Sequence, residues 1–234
     1  HILQQLTGSD AVKFDLSKMP ILGGWLHSTY VLSVRAATGI KTVDDIRKAA
    51  NPLQLGTQGL GTGTYIYTVG WQKALGVKFK LVTGYEGNEQ TLAIERGEID
   101  ARTDTASAIF QRNEDYRRLA PSVVQNGPKR DPLLPNVPTV NEINPNPGVF
   151  WETVNNALSV DRPYVLPPGT PAERVAELRA AFGKMLNDAT FKAEAEKRHW
   201  TVVPTSGEEI DAFYKKAASS TPPDVIQELK DLFP

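Results

Sequence analysis

The chain contains no cysteine, which removes disulfides, thiolate zinc sites, iron–sulfur clusters and cysteine nucleophiles together. Only three histidines occur, His1, His27 and His199, too far apart in sequence for metal-ligand spacing. No stretch approaches the roughly 20 consecutive apolar residues of a membrane-spanning helix. Charge of one sign is not in excess either. The 26 basic and 27 acidic side chains give a formal net charge of -1, without the basic excess of a nucleic-acid binder. Catalytic signatures are missing as well: there is no G-x-S-x-G elbow, no H-E-x-x-H, and no second histidine beside a serine to complete a triad. No cofactor and no catalytic residue are expected. What remains is an ordinary globular composition, 40% hydrophobic and 23% charged, over 234 residues, enough for two lobes. A cysteine-free chain suits cytosol and periplasm equally.

The clearest organisation lies between Leu53 and Gln125. A short apolar run, Leu53-Gln54-Leu55-Gly56, leads into a loop with Gly59, Gly61 and Gly63. Thr64 to Leu75 then reads as a helix, capped by Thr62 or Thr64 and ended by Gly76. Lys78 to Val82 alternates polar and apolar as a strand does, and Asn88 is placed to cap a helix running to Arg96. Ile99 to Thr103 reads as a strand, Thr105 to Arg112 as a helix, and Leu119 to Gln125 as a strand. Short connections between alternating strands and helices predict parallel βαβ units, hence an α/β fold. Tyr30 to Val34 is a further strand, and Thr42 with Asp45 reads close to a capping box for a helix to Ala50. Eleven of the 17 prolines fall between Pro121 and Pro171, which predicts an extended connection without long helices, and a crossing between lobes there. Beyond it come a short strand at Tyr164-Val165-Leu166 and a long helix opened by Pro171. Further helices are read at Thr190–His199, Ser206–Ala218 and Pro223–Leu232.

In a parallel sheet, ligands bind beyond the carboxyl ends of the strands. Three strand-to-helix loops open there: Thr57–Thr64, Gly84–Asn88 and Asp104–Ser107. In the first, Thr62, Gly63 and Thr64 place amides and hydroxyls at a helix N-terminus, where unpaired N–H groups and the helix dipole favour an anion. It is not a P-loop, because no Lys-Ser or Lys-Thr follows the glycines, and a glycine-rich turn that merely permits the bend fits equally well. Arg102 either approaches a carboxylate bidentately or pairs with Asp104 or Glu98. Tyr85, between Gly84 and Gly87, is a ligand contact or a loop anchor. His199 ends a helix and meets its dipole, whereas His27 and Ser28 close the segment Gly23-Gly24-Trp25-Leu26 just before a strand and are candidate contacts.

Several motifs carry a resemblance. Leu81-Val82-Thr83-Gly84-Tyr85-Glu86-Gly87, followed by Glu95-Arg96-Gly97-Glu98-Ile99-Asp100, resembles the tripartite tricarboxylate transporter solute receptors, also called Bug receptors. The Gly59–Thr64 loop stands where that family has a glycine- and serine-rich turn. Leu134-Pro135-Asn136-Val137-Pro138-Thr139 with Glu142 resembles another family stretch, and Leu166-Pro167-Pro168-Gly169-Thr170-Pro171-Ala172-Glu173-Arg174 resembles a family helix start. Asp15-Leu16-Ser17-Lys18 and Leu22-Gly23 look like an earlier one.

The resemblance implies a periplasmic binding protein of the type II class, with two doubly wound α/β lobes joined by a hinge. Residues 55–151 would form the second lobe, and residues 1–54 with 152–234 the first. It implies an exported, monomeric, non-catalytic receptor that captures a small organic acid and hands it to the permease subunits of an ion-gradient-driven tripartite transporter. Carried over by motif, the ligand contacts are Gly61, Thr62, Gly63, Thr64, Gly84, Tyr85 and the turn Thr103-Asp104-Thr105. Glu86 stands where the family more often has lysine, which disfavours a multiply charged carboxylate, and Arg102 is a candidate to restore the positive charge. The family's opening ligand loop has no counterpart here, and no signal peptide is seen, so the first lobe is expected to be incomplete at its N-terminus. A competing expectation is a doubly wound enzyme, or a sensor module, that takes a phosphorylated or nucleotide ligand at the Gly59–Thr64 loop.

Overall fold

A computed structural model describes every residue except His1, Ala11, His27, Gly87, Asn113, Val160, Asp161, Thr201 and Pro234. Eight strands are present among the described residues: β1 (Ile21–Leu26), β2 (Tyr30–Val34), β3 (Leu53–Thr57), β4 (Phe79–Thr83), β5 (Ala101–Thr105), β6 (Ser122–Gln125), β7 (Tyr164–Val165) and β8 (Val202–Ser206). The chain divides into two compact units, one of His1–Ser28 with Asn156–Phe233 and one of Thr29–Asn155. Residues 29–54, expected in the first lobe, therefore belong to the second unit. The physical reason is β2. All five of its residues are buried, and a strand buried on both faces belongs inside a sheet.

The second unit carries a five-stranded sheet in the order β4-β3-β5-β2-β6. β3 runs parallel to β4 and to β5, as the βαβ reading predicted. β2 lies antiparallel between β5 and β6, pairing Tyr30 with Thr105 and Val34 with Ala101. Its N-terminal end thus meets the carboxyl end of β5. The strand expected at Ile99–Thr103 begins two residues later, at Ala101. Gly97 ends the preceding helix in the left-handed conformation, and the Glu98 and Ile99 amides bond back to Ala93. That turn occupies the backbone that would otherwise have opened the strand, and the shift carries Asp104 and Thr105 into β5.

Helix Gly63–Leu75 covers the sheet with Tyr67 and Trp71, both fully buried. Tyr30 stacks on Tyr67 at 4.1 Å, and Trp71 meets Trp151 at 4.8 Å. Such ring pairs add about 0.5–1.5 kcal/mol each beyond their buried area. A second cluster of Val31, Ala93, Ile94, Ile99, Ile109 and Tyr116 seats helices Glu89–Arg96 and Glu114–Leu119. Trp151 itself sits on helix Val149–Ser159, within the connection expected to hold no long helix. The correction follows from spacing: between Pro147 and Pro163 the chain is free of proline, long enough for three turns.

The first unit's described strands form an antiparallel sheet, β7-β1-β8. Trp25 on β1 packs against Phe191 and Trp200. Helix Gly207–Ser220 opens with a capping box between Ser206 and Glu209. Its first residue lies so close to β1 that a Cβ there would stand 1.9 Å from the Ile21 carbonyl oxygen. Gly207→Ala should therefore displace backbone and cost about 1–3 kcal/mol, read as a fall in the urea midpoint. An unchanged midpoint would contradict this packing.

Candidate functional site

The carboxyl ends of β3, β4 and β5 bring three loops to one edge of the second unit's sheet. Thr62 caps helix Gly63–Leu75 by accepting the Tyr65 amide at 3.3 Å, and its hydroxyl donates to the Gly59 carbonyl at 2.7 Å. Gly61, at φ 76, supplies the left-handed turn that lets the loop fold back. At Gly63 the chain passes under a phenol: a Cβ would meet the Tyr30 hydroxyl at 2.9 Å. The amides of Gly63 and Thr64, the first two of a 13-residue helix, bond to no acceptor among the described residues. They face the dipole end that favours negative charge.

The second loop is stitched to the first. The Gly84 amide donates to the Gln58 carbonyl at 2.9 Å, and the Tyr85 amide to the Thr57 carbonyl at 3.3 Å. The Tyr85 ring packs against the Val31–Tyr116 cluster, over Gly56, which makes Tyr85 a loop anchor. Both residues line a neighbouring cavity of about 440 Å³ with Glu89, Arg96 and Glu98. Glu86 is exposed, its amide held by Glu89 at 2.9 Å.

β5 sorts its residues by face, since alternate side chains point to opposite sides. Thr103 is buried and bonds Thr68 at 2.8 Å and the Trp71 indole at 3.1 Å. It is a core hydroxyl. Arg102 and Asp104 lie on the other face and pair with one another. Arg102 is 3% exposed; it also donates to Thr91 at 3.1 Å and to the Tyr116 hydroxyl at 3.3 Å. Its buried Nε has no hydrogen-bond partner. Asp104 accepts a second cation, Arg112, at 3.2 Å, and the Thr105 amide at 2.8 Å. Thr105 caps helix Ala106–Phe110.

A cavity of about 220 Å³ opens among Gln58, Thr64, Asn88, Gln90, Arg102, Asp104 and Arg112. Two arginines face one acid, so the lining carries one net positive charge. The structure thus brings together Thr64, Arg102 and Asp104 of the residues singled out from sequence. It leaves Thr103 in the core and Gly84 and Tyr85 in the adjoining loop. Ser28 is buried and belongs to the first unit, and His27 lies outside the described residues. Four cavity residues were missed: Gln58, Asn88, Gln90 and Arg112. Asn88, placed by the sequence to cap a helix, makes no capping bond with its side chain and lines the cavity instead. The sequence marks Arg112 only as the end of a helix. Among the described residues no group of three His, Asp or Glu side chains could hold a metal ion.

Asp104 is the counter-charge for a buried guanidinium. Asp104→Ala should cost about 3–5 kcal/mol of stability in urea denaturation, because Arg102 is left charged and unpaired. Glu86→Ala should leave the midpoint unmoved; equal midpoints for both variants would refute the pairing.

Solved structures with the same fold are known. A solute binding protein from Polaromonas, without ligand, superposes with a TM-score of 0.72 at 18% identity, covering 97% of this chain and 75% of that one. MatC from Rhodopseudomonas palustris, with bound malate, gives 0.65 at 17% identity over 94% of this chain and 74% of that one. A further R. palustris protein, with adipate, gives 0.67 at 16% identity over 96% and 73%. No curated protein sequence matches the chain. The family model of the tripartite tricarboxylate transporter family receptor matches residues 14–230, nearly the whole chain, and the chain belongs to that family.

Proposed function

We propose that this receptor binds a small organic carboxylate at the carboxyl-end loops of its second unit and delivers it, in the periplasm, to the membrane subunits of a tripartite transporter. The observation that carries the reading is the cavity where Arg102 and Arg112 outnumber Asp104, beside the free amides of Gly63 and Thr64. Both devices stabilise an anion, one by charge-assisted hydrogen bonds and one by helix amides. Family membership and the malate and adipate held by proteins of the same fold support a carboxylate as that anion. Export is supported by the family, and among the described residues no helix is long and apolar enough to cross a membrane.

The same lining supports binding without turnover: its one carboxylate, Asp104, is already engaged by Arg102, Arg112 and the Thr105 amide. The nucleotide or phosphorylated-ligand reading is disfavoured because the Gly59–Thr64 loop has no following lysine to meet a phosphate chain.

Titration calorimetry with malate, adipate and benzoate tests the proposal. Saturable heat is expected with at least one dicarboxylate, and that ligand at 100 times its Kd should add about 2.7 kcal/mol of stability. Absence of heat and of any melting shift with all three would contradict it.

A further inference from the structure

Resting on the carboxylate reading, the charge count of the cavity allows a sharper statement. We propose that Arg112 is the specificity-determining residue of the site, because it supplies the single positive charge that Asp104 leaves uncancelled. The two arginines are not equivalent. Arg102 is held by Thr91, Tyr116 and Asp104, and its side chain is 4% exposed. Arg112 shares the same Asp104 oxygen and the same Thr91 hydroxyl, yet its side chain is 18% exposed. It is positioned by the Ala108 carbonyl at 2.7 Å and lies over the Tyr116 ring at 5.1 Å. Arg102, the more buried partner, thus neutralises Asp104, and Arg112, the more exposed of the two, is left to meet a ligand.

The rest of the lining is neutral: Gln58, Thr64, Asn88 and Gln90 offer hydrogen bonds without charge. Glu86 and Glu89 do not line this cavity, so they do not cancel the excess at contact distance. The complement of such a lining is one ionised carboxylate. A dicarboxylate would place one of its two carboxylates there, whereas phosphate would bring both charges of its dianion into the one cavity, more than the lining compensates, and an uncharged amide would leave Arg112 unanswered.

The test compares wild type, Arg112→Gln and Arg112→Lys, using malate or adipate, whichever wild type binds tighter. Arg112→Gln is expected to weaken binding at least ~30-fold, the factor that corresponds to losing one partner of a desolvated charge pair. It is also expected to flatten the salt dependence of Kd. Arg112→Lys, which keeps the charge, should recover most of the affinity and the wild-type salt dependence. Wild-type affinity in Arg112→Gln, a loss with undiminished salt dependence, or an Arg112→Lys as weak as Arg112→Gln would each overturn the proposal. A wild type that binds neither dicarboxylate overturns the underlying carboxylate reading, a distinguishable failure. Should Arg112→Gln lack a cooperative melt, wild type against inorganic phosphate decides. The dicarboxylate should bind at least ~10-fold tighter, and phosphate binding of equal strength overturns the proposal.

Discussion

A guanidinium taken out of water must be matched by an anion and by acceptors for its N–H groups, or the fold loses several kcal/mol. Arg102 imposes that requirement on the second unit. It lies on a central strand at 3% exposure, so its partners must come from the elements around it. They are Asp104, two residues along the same strand, Thr91 on helix Glu89–Arg96, and Tyr116 on helix Glu114–Leu119. One side chain thereby fixes two helices against β5 at the end where the three strand-to-helix loops gather. Arg112 joins the same group through Asp104 and Thr91. The positive character of the cavity is thus a by-product of how Arg102 is held, at every nitrogen but Nε, by the core beneath it.

The sheet edge depends on a second device, the insertion of β2. Because β2 runs antiparallel between β5 and β6, its first residue, Tyr30, reaches the same edge as Thr57, Thr83 and Thr105. Tyr30 roofs Gly63 and stacks on Tyr67, and its amide is held by Asn126 at 2.9 Å. Asn126 in turn donates to the Tyr67 hydroxyl and to Asn155. The polar groups behind the helix N-terminus are therefore answered from within, while the amides of Gly63 and Thr64 at its tip are not. That contrast is what the proposed binding role of the helix tip rests on.

Much of this was legible in the residues. Capping chemistry located two helices well, since Thr42 with Asp45 and Thr62 cap as their types require, whereas Asn88 makes no capping bond. The alternation from strand to helix across Leu53–Gln125 identified the parallel core and the edge where three strand-to-helix loops meet. Placement in three dimensions was not legible. The apolar run of β2 signals burial but not which sheet buries it, so a strand of the second unit was assigned to the first lobe. The two-residue shift of β5 depended on the Gly97 turn, whose backbone bonds to Ala93 leave no trace in a hydropathy pattern. Arg112 and Gln58 come from different loops, and nothing local to either announces that they share a cavity. Thr103, carried over by motif with the turn Thr103-Asp104-Thr105, illustrates the converse: neighbours along a strand face opposite sides.

If the carboxyl-end loops of the second unit hold the ligand, their backbone amides are protected when it binds. Backbone hydrogen exchange with and without a saturating dicarboxylate tests it most directly. The account predicts slowed exchange at Gly63 and Thr64 and in the segment from Arg102 to Arg112, with little change in the core of helix Gly63–Leu75, already protected by its own hydrogen bonds. Saturable binding that leaves the Gly63 and Thr64 amides exchanging at the unliganded rate would contradict it.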